Sequence, residues 1–575
     1  MPLHNAEIAG ALEEMADLLA IRGDNPFRIR AYRRAAQVVR TLPRELPAQA
    51  DTAALEVLPG IGEDLAGKIS ELARTGHLEA LERLRAEVPP GLRELLELPG
   101  LGPVRVRALY GGLGIRNRHD LRAAAASGRL AGLRGFGPGI RGRLAAALQA
   151  SASAGPRRTS WAVASESAEP LKAYLEAVRG VERVEIAGSY RRGRETVGDL
   201  DLVVSTRNPA PALAAFTRYE EVRAVTASGQ TKVAAVLRSG LRVDLRLVAP
   251  ESFGAALQYF TGSREHGIRL RRRARERGLK LSEYGLFRGR RRLAGASEAE
   301  VFAGLGLPWI APELREDHGE IEAAESHALP ELIERRDLRG DLHVHTDASD
   351  GTQPLAVMVA AARAHGLSYF AVTDHSRHLG ITHGLDASRL ARQIDQIDAL
   401  NDGLAGFTVL KGAEVDILED GSLALPDTLL ARLDLVVIAL HSQLELSEAA
   451  QTRRLLRALE RPCVTVLAHP FGRLLGERPG AHFDFDRVLA TAAARPCYLE
   501  INGQPLRLDL DDRYARAARD QGVLLSIASD AHAGEQLDFL EGAVRQARRG
   551  WLRAADALNS RTLAELRPLL RRTMR

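Results

Sequence analysis

Nine side chains able to ligate a metal are spread along the last part of the chain: His343, His345, Asp350, His375, Glu414, His441, His469, Asp530 and His532. Most close a short apolar run, as in Ala371-Val372-Thr373-Asp374-His375 and Leu435-Val436-Val437-Ile438-Ala439-Leu440-His441. The strand ends of a parallel α/β barrel deliver side chains to an active face in this way. Imidazoles with carboxylates form the ligand set of zinc, manganese or iron, and three such ions could share these ligands. A second acidic group lies upstream in Gly198-Asp199-Leu200-Asp201. Acids two apart on a strand project from the same face, and Asp244 on a neighbouring apolar run could lie alongside. Three acids held together repel unless cations neutralise them, which asks for divalent metal. Two magnesium ions about 3.5–4 Å apart would clamp the attacking and leaving oxygens of a phosphoryl transfer. The spacing therefore predicts two separate metal-dependent active sites.

Positioning two such sites takes more than one core, and 575 residues provide for several domains. With 45% hydrophobic and 27% charged residues the chain is globular in composition. Its net charge of +5 is small, but a pI near 9.3 and local arginine clusters point to a polyanionic partner. Arginine far outnumbers lysine, which suits phosphate recognition and equally fits a GC-rich genome. Cys463 and Cys497 offer neither a disulfide framework nor a thiolate zinc site. The first residues lack the pattern of a secretory signal, and no apolar run is long enough to cross a bilayer. A cytoplasmic, nucleoid-associated monomer is the expected state.

Residues 1–150 read as short amphipathic helices separated by glycine turns. Three turns resemble one another: Leu58-Pro59-Gly60-Ile61-Gly62, Leu98-Pro99-Gly100-Leu101-Gly102 and Leu133-Arg134-Gly135-Phe136-Gly137. This is the helix-hairpin-helix pattern, in which a helix start presents free N–H groups to a DNA phosphate. Gly60, Gly62, Gly100, Gly102, Gly135 and Gly137 are thus candidate DNA-binding positions. Ser151-Ala152-Ser153-Ala154-Gly155-Pro156 reads as a flexible linker. Strands are expected at 184–187, 200–204, 233–237 and 241–245, then an arginine-rich segment, a polar helical connector, and repeated strand–helix alternation from about residue 338.

The segment Gly188-Ser189-Tyr190-Arg191-Arg192-Gly193, followed by Asp199 and Asp201, resembles the nucleotidyltransferase family of DNA polymerase beta, family X. Tyr259-Phe260-Thr261-Gly262-Ser263 is similar to that family's segment beneath the incoming sugar and base. The resemblance implies that Asp199 and Asp201 bind both metals and that Asp244, oriented by Arg242, helps activate the primer 3′-hydroxyl. It implies that Gly188, Ser189 and Arg192 hold the triphosphate, with Tyr259, Phe260, Gly262, Ser263 and Arg271 also contacting the nucleotide. Gly267 stands where vertebrate members carry an asparagine, so that residue's hydrogen bond to the nucleotide is either lost or supplied by a neighbour such as His266. At the N-terminus, Asn25-Pro26-Phe27-Arg28-Ile29-Arg30-Ala31-Tyr32 resembles the family's gap-binding domain, which implies that Arg28 and Tyr32 approach a downstream 5′-phosphate. Lys68 falls where the family's 5′-deoxyribose-phosphate lyase carries its Schiff-base lysine.

The C-terminal ligands stand in motifs that resemble the polymerase-and-histidinol-phosphatase (PHP) domain: Asp341-Leu342-His343-Val344-His345, Thr373-Asp374-His375-Ser376, Gly412-Ala413-Glu414, Leu440-His441-Ser442, Ala468-His469-Pro470 and Ser529-Asp530-Ala531-His532. The resemblance implies one metal on His343, His345, Glu414 and Asp530, with Glu414 bridging to a second on His441 and His469. Asp350, His375 and His532 would hold a third. Such a cluster lowers the pKa of water and neutralises a phosphoester; Arg377 and Arg473 are candidates for gripping the phosphate.

The expected fold is multidomain, α and α/β. A small helical gap- and 5′-phosphate-binding domain (1–85) and helix-hairpin-helix fingers (86–150) precede an α+β palm (151–255) and a small thumb (256–316). A linker (317–337) leads to a distorted parallel (β/α)7-type PHP barrel (338–575). The expected function is gap-filling DNA synthesis in base excision repair, using Mg²⁺ or Mn²⁺, dNTPs and gapped or nicked duplex DNA. The barrel is expected to be a Mn²⁺- or Zn²⁺-dependent 3′→5′ exonuclease, a hydrolase whose substrates extend to abasic sites and 3′-phosphates. The alternatives are a small-molecule phosphatase and a DNA-binding scaffold with a weakened polymerase half.

Overall fold

The computed structural model describes residues 5–40, 46, 51–58, 60–89, 91–96, 98, 101–133, 135–137, 140–141, 144, 158–377 and 383–574. They form two compact units, 1–158 and 159–575.

The first unit is helical, and one hydrogen-bond pattern repeats at its three glycine turns. Ile61, Leu101 and Phe136 each donate a backbone N–H to the leucine three residues earlier, over 3.0–3.1 Å. Gly62, Gly102 and Gly137 then accept the first bonds of the following helical turns. Gly60 and Gly135 have φ of +78° and +92°, which favours glycine. The apolar member of each turn (Ile61, Leu101 or Phe136) is buried and ties the turn to one shared core. Gly100 and the linker at 151–156 lie outside the described residues.

In the second unit, a five-stranded sheet runs in the order Val181–Ile186, Asp199–Thr206, Arg242–Val248, Lys232–Leu237, Val222–Ser228. Only the Asp199–Thr206 and Arg242–Val248 strands are parallel to each other, and they place Asp201 opposite Asp244. Period-two alternation explains the arrangement. Leu200, Leu202 and Val204 join the core beneath the Trp161–Glu176 helix, so Asp199 and Asp201 face the other side. Further along that acidic face, Val203 is covered by Phe253, Ala256 and Leu257. The edge strand Val222–Ser228 was not among the sequence expectations; its residues are almost all exposed, so no apolar alternation marks it.

Two helices, Phe253–Thr261 and Arg264–Glu276, a small antiparallel sheet at 280–294 and the Glu298–Gly304 helix follow. Their core takes in Ile321 and Ala324 of the Glu320–Glu325 helix, so the expected linker at 317–337 is in part a packed element.

The barrel is parallel throughout. Its strands are Gly340–Val344, Tyr369–Val372, Thr408–Lys411 with Glu414–Asp416, Val437–Ala439, Val466–Leu467, Tyr498–Asn502 and Leu525–Ala528. The third strand bends at Gly412, where a Cβ would meet the Val372 carbonyl at 2.8 Å. The bend passes pairing from one neighbour to the next and turns Glu414 inward. The barrel closes where Val344 bridges Ala531 and His345 donates its N–H to the Ala531 carbonyl, 2.8 Å. Asn559 donates to the Gly340 and Ile527 carbonyls (2.7 and 2.8 Å), sealing the end where strands begin. All nine expected ligands therefore lie towards the opposite end.

Candidate functional site

Glu414 is the centre of the barrel site. Its Oε2 faces His375 Nδ1 (3.0 Å), His343 Nε2 (3.4 Å) and His345 Nε2 (3.5 Å). Its Oε1 faces His469 Nε2 (2.9 Å) and His441 Nε2 (3.0 Å). Asp530 Oδ1 lies 3.2 Å from His345 Nε2, and Asp350 lies 3.5 Å from both His375 Nε2 and His532 Nε2. Ligand-type atoms within 4.8 Å of one another form four overlapping sets: His345, Asp350, His375 and His532; His343, His469 and Asp530; His343, His345 and Glu414; and His375, Glu414 and His441. His343, His345, His375 and Glu414 each belong to two sets, so the partition implied by the resemblance is finer than the geometry, which shares these side chains.

The ring nitrogens suit cations. His345 Nδ1 and His469 Nδ1 are buried with no hydrogen-bond partner among the described residues, and His375 Nδ1 and His441 Nε2 are buried facing only Glu414 at 3.0 Å. Three rings are fixed from behind: His343 Nδ1 meets Glu500 (2.7 Å), His441 Nδ1 meets Asp416 (2.9 Å), and His532 Nδ1 meets the Asp530 carbonyl (2.9 Å). A proton held on Nδ1 leaves the Nε2 lone pair for a metal. Burial opposes charge on His343, but Glu500, Glu414 and Asp530 raise it well above its ordinary value. His441 and His532 reach about 9 because neighbouring carboxylates outweigh burial. Burial and two nearby histidines instead push His345 down to about 4.

Glu500, Asp416 and Asn502 were not singled out from the sequence. Asn502 Nδ2 donates to Glu500 Oε1 (2.8 Å) and Asp530 Oδ2 (3.0 Å), joining two barrel strands behind the ligands. The spacings Glu414-Val415-Asp416 and Glu500-Ile501-Asn502 were the available signal, since alternate strand residues share a face.

At the palm, Asp201 is pushed up to about 7 by burial, then by Asp199 and Asp244. The Gly188 loop passes against it: Ala187 donates its N–H to the Asp201 carbonyl (2.6 Å), and a Cβ on Gly188 would lie 2.5 Å from Asp201 Oδ2. Ser189 is half-buried on the same turn. Arg192 donates to the Thr261 carbonyl (2.5 Å) and to Glu316 (3.0 Å). Arg191 makes two bonds to Glu298 and one to Thr261 Oγ1. The three palm acids do not form a set as tight as the barrel ligands among the described residues.

Four patterns divide the chain along these lines. The helix-hairpin-helix domain matches residues 3–78 and the SAM-like helix-hairpin-helix tandem 92–150. The DNA polymerase beta thumb matches 256–316 and the PHP domain 341–502. Across 576 aligned residues, covering 99% of this chain and 100% of the relative, the sequence is 38% identical to the DNA polymerase/3′-5′ exonuclease PolX of Bacillus subtilis (strain 168). The chain belongs to the family X DNA polymerases. Two proteins named "Probable phosphatase" are similar over 36% of this chain. One, from Thermoanaerobacter sp. (strain X514), is 28% identical over 83% of its own length. The other, from Caldanaerobacter subterraneus subsp. tengcongensis, is 27% identical over 80%.

Several expected contacts of this family X chain are placed differently. Tyr32 is a core side chain, 1% exposed, and cannot meet a phosphate as placed; Arg28 beside it is half-exposed. His266 is fully buried and bound to Glu320 at 2.7 Å, so it does not reach the nucleotide side in place of an asparagine. The space over Gly267 belongs to Arg271, whose Nη1 would lie 3.1 Å from an added Cβ and whose guanidinium sits 5.6 Å from the Tyr259 ring centre. Tyr259 is exposed, and Phe260 beneath it packs against Arg246. Ser263 is buried, its hydroxyl accepting the His266 N–H as a helix cap, while Gly262 faces Arg192. Arg242 pairs with Asp199 (3.8 Å), and Lys232 takes Asp244 (3.5 Å). Strand register explains this, because Arg242 lies directly opposite Asp199. Lys68 is paired with Asp64 one helical turn away. Arg473 is spent on Glu195 and the Arg507 and Leu508 carbonyls, whereas Arg377 is exposed beside Asp386.

Proposed function

We propose that this chain fills short gaps in duplex DNA with its palm and removes 3′-terminal nucleotides with its barrel, as a monomer in cytoplasmic, nucleoid-associated base excision repair. The observation that carries the reading is the convergence of eight ligand-type side chains on Glu414 in the same compact unit as the Gly188–Asp201 loop. The functional division follows the boundaries expected from the sequence, with helix-hairpin-helix turns at Gly60–Gly62, Gly100–Gly102 and Gly135–Gly137 binding DNA backbone.

In the palm, Gly188 lets the phosphate loop lie directly on Asp201, while Ser189 and Arg192 orient the triphosphate. Arg271 and Tyr259 face the nucleotide. Asp199, Asp201 and Asp244 would hold Mg²⁺ or Mn²⁺, and Asp244 helps draw the proton from the primer hydroxyl. In the barrel, the nine ligands would hold three Mn²⁺ or Zn²⁺ ions, with Glu500 and Asp416 fixing the rings of His343 and His441. Bound cations supply Lewis-acid stabilisation of the phosphoester oxygens at both sites. Lys68 is paired with Asp64, so a lyase role requires that pair to open; borohydride trapping of an abasic substrate by wild type and Lys68→Ala tests it.

The deciding experiment supplies manganese, a one-nucleotide gap and all four dNTPs to wild type, Asp201→Ala and His343→Ala. Asp201→Ala should lose extension and keep shortening, and His343→Ala should do the reverse. Equal extension by Asp201→Ala and wild type would remove the polymerase half of the reading. The similarity to two proteins named as phosphatases favours a second reading, small-molecule phosphoester hydrolysis. Faster release of phosphate from histidinol phosphate than of nucleotides from a DNA 3′ end would establish it.

A further inference from the structure

One cation faces the barrel ligands through a single ion pair, with no guanidinium hydrogen bond among the described residues. Arg507 lies on the turn after the Tyr498–Asn502 strand, with its Nε 3.6 Å from Asp530 Oδ2 and its side chain 22% exposed. Among the described residues no hydrogen bond of its guanidinium is formed, whereas Arg473 nearby is consumed by three acceptors. The ion pair at 3.6 Å uses only one edge of a planar group with five N–H donors. Its charge also reaches His469, whose pKa is lowered first by burial and next by Arg507.

The turn that carries Arg507 is fixed at every step. Gly503 donates to the Ala528 carbonyl (2.8 Å), and an added Cβ there would strike the Phe539 carbonyl at 2.1 Å. Gln504 Nε2 donates to the Asp530 carbonyl (3.1 Å), and Arg507 N donates to the Gln504 carbonyl (2.8 Å). Arg473 Nε holds the Arg507 carbonyl at 3.0 Å, and Asn502 N bonds the Asp509 carbonyl at 2.7 Å. The backbone is thus held from both sides while the guanidinium keeps its donors. Asp530 divides its two oxygens: Oδ1 faces His345 among the ligands, and Oδ2 faces Asn502 and Arg507. A fixed, planar, incompletely bonded cation next to a hydrolytic cluster matches the geometry of a phosphate oxygen pair.

We propose that Arg507 binds the phosphate group of the barrel's substrate, a binding role distinct from ligation of the cations. The proposal rests on the barrel being a phosphoesterase site and names the residue that grips the ester there.

The test uses full-length wild type, Arg507→Ala and Arg507→Lys, each loaded with manganese. Metal content after dialysis, melting temperature, calorimetric affinity for inorganic phosphate, and KM and kcat on a duplex with a 3′ end are measured. Arg507→Ala should retain wild-type manganese and melting temperature while phosphate affinity falls about 10- to 100-fold, the range of a charge-assisted contact. KM should rise by a similar factor with a smaller change in kcat, and Arg507→Lys should recover part of both. Wild-type phosphate affinity in Arg507→Ala overturns the proposal. So does loss of manganese from that variant, which makes Arg507 a positioning residue for Asp530. If wild-type protein shortens no DNA, the phosphoesterase reading fails, whereas the phosphate titration still decides whether Arg507 binds the anion.

Discussion

Glu500 never touches the centre of the barrel cluster, yet it fixes the His343 ring through Nδ1 at 2.7 Å and is itself fixed by Asn502. Outer partners of this kind typically account for 10–100-fold in metal affinity. Glu500→Gln should therefore weaken manganese binding by about that factor, read by titration with a metallochromic chelator, while gap filling persists. At the palm, Gly188→Ala places a methyl group 2.5 Å from Asp201 Oδ2 at a φ of +61°. Misplacing the phosphate loop by about an ångström costs about 100-fold in catalysis, so single-nucleotide incorporation should fall by that order. Unimpaired incorporation would mean that the loop does not bear on the acids. The convergence of the nine candidate ligands was legible because histidines and acids closing apolar runs stand out. Glu500 and Asp416 were harder to read: period two puts Asp416 on the face of Glu414, but nothing local shows which distant histidine either carboxylate meets. Tyr32 and His266 misled for the converse reason: neither residue type reveals whether packing leaves it exposed, and both are buried.

Among the elements, the Glu298–Gly304 helix joins the palm loop to the thumb through its first residue. Glu298 accepts from Arg191, from Arg315 (2.6 Å) and from Trp309 Nε1 (3.1 Å), and Arg315 is fully buried. Burial opposes ionisation of Glu298, but Arg315 and Arg191 hold its carboxyl far below the ordinary 4.5. Glu298→Gln leaves Arg315 buried without its counter-charge, a loss expected to cost about 3–5 kcal/mol in urea unfolding. Because the folded-state pKa is depressed, the carboxylate's contribution is complete above pH 4.5 and declines as pH falls below it towards the folded value. The variant should therefore differ most from wild type above pH 4.5 and converge with it in acid. An unchanged gap between the two on acidification would place the stabilisation elsewhere. Helical turns were readable in the sequence where glycine punctuates them, as at Gly60–Gly62. The Val222–Ser228 strand was not, because a solvated edge is specified by its pairing with Lys232–Leu237 and not by apolar alternation.

Across residues 159–575, the barrel is bound to the palm by arginines from its Leu540–Arg549 helix. Arg549, 2% exposed, donates to the Arg192 carbonyl (2.8 Å) and Glu316 (3.0 Å) and pairs with Asp512. Arg545 lies 3.3 Å from the centre of the Trp161 ring, which stacks on Tyr190, and Arg473 pairs with Glu195. These contacts reach the Gly188 loop itself, since Arg192 shares Glu316 with Arg549. Cutting one partner from a buried ionic network strands the others, at about 3–5 kcal/mol; Arg549→Met strands the same carboxylates but refills most of the lost volume. Arg549→Ala should thus uncouple the halves: calorimetry of the full chain should resolve separate palm and barrel transitions in the 159–575 unit, where wild type melts that unit in one. Arg549→Met should fall between the two. Manganese should raise the barrel transition of Arg549→Ala more than the palm transition, because a ligand stabilises the unit that binds it and the tight ligand sets lie in the barrel. A single transition in Arg549→Ala, shifted as a whole by manganese, would show that the apolar contacts around Trp551 suffice to hold barrel and thumb together without the ionic network.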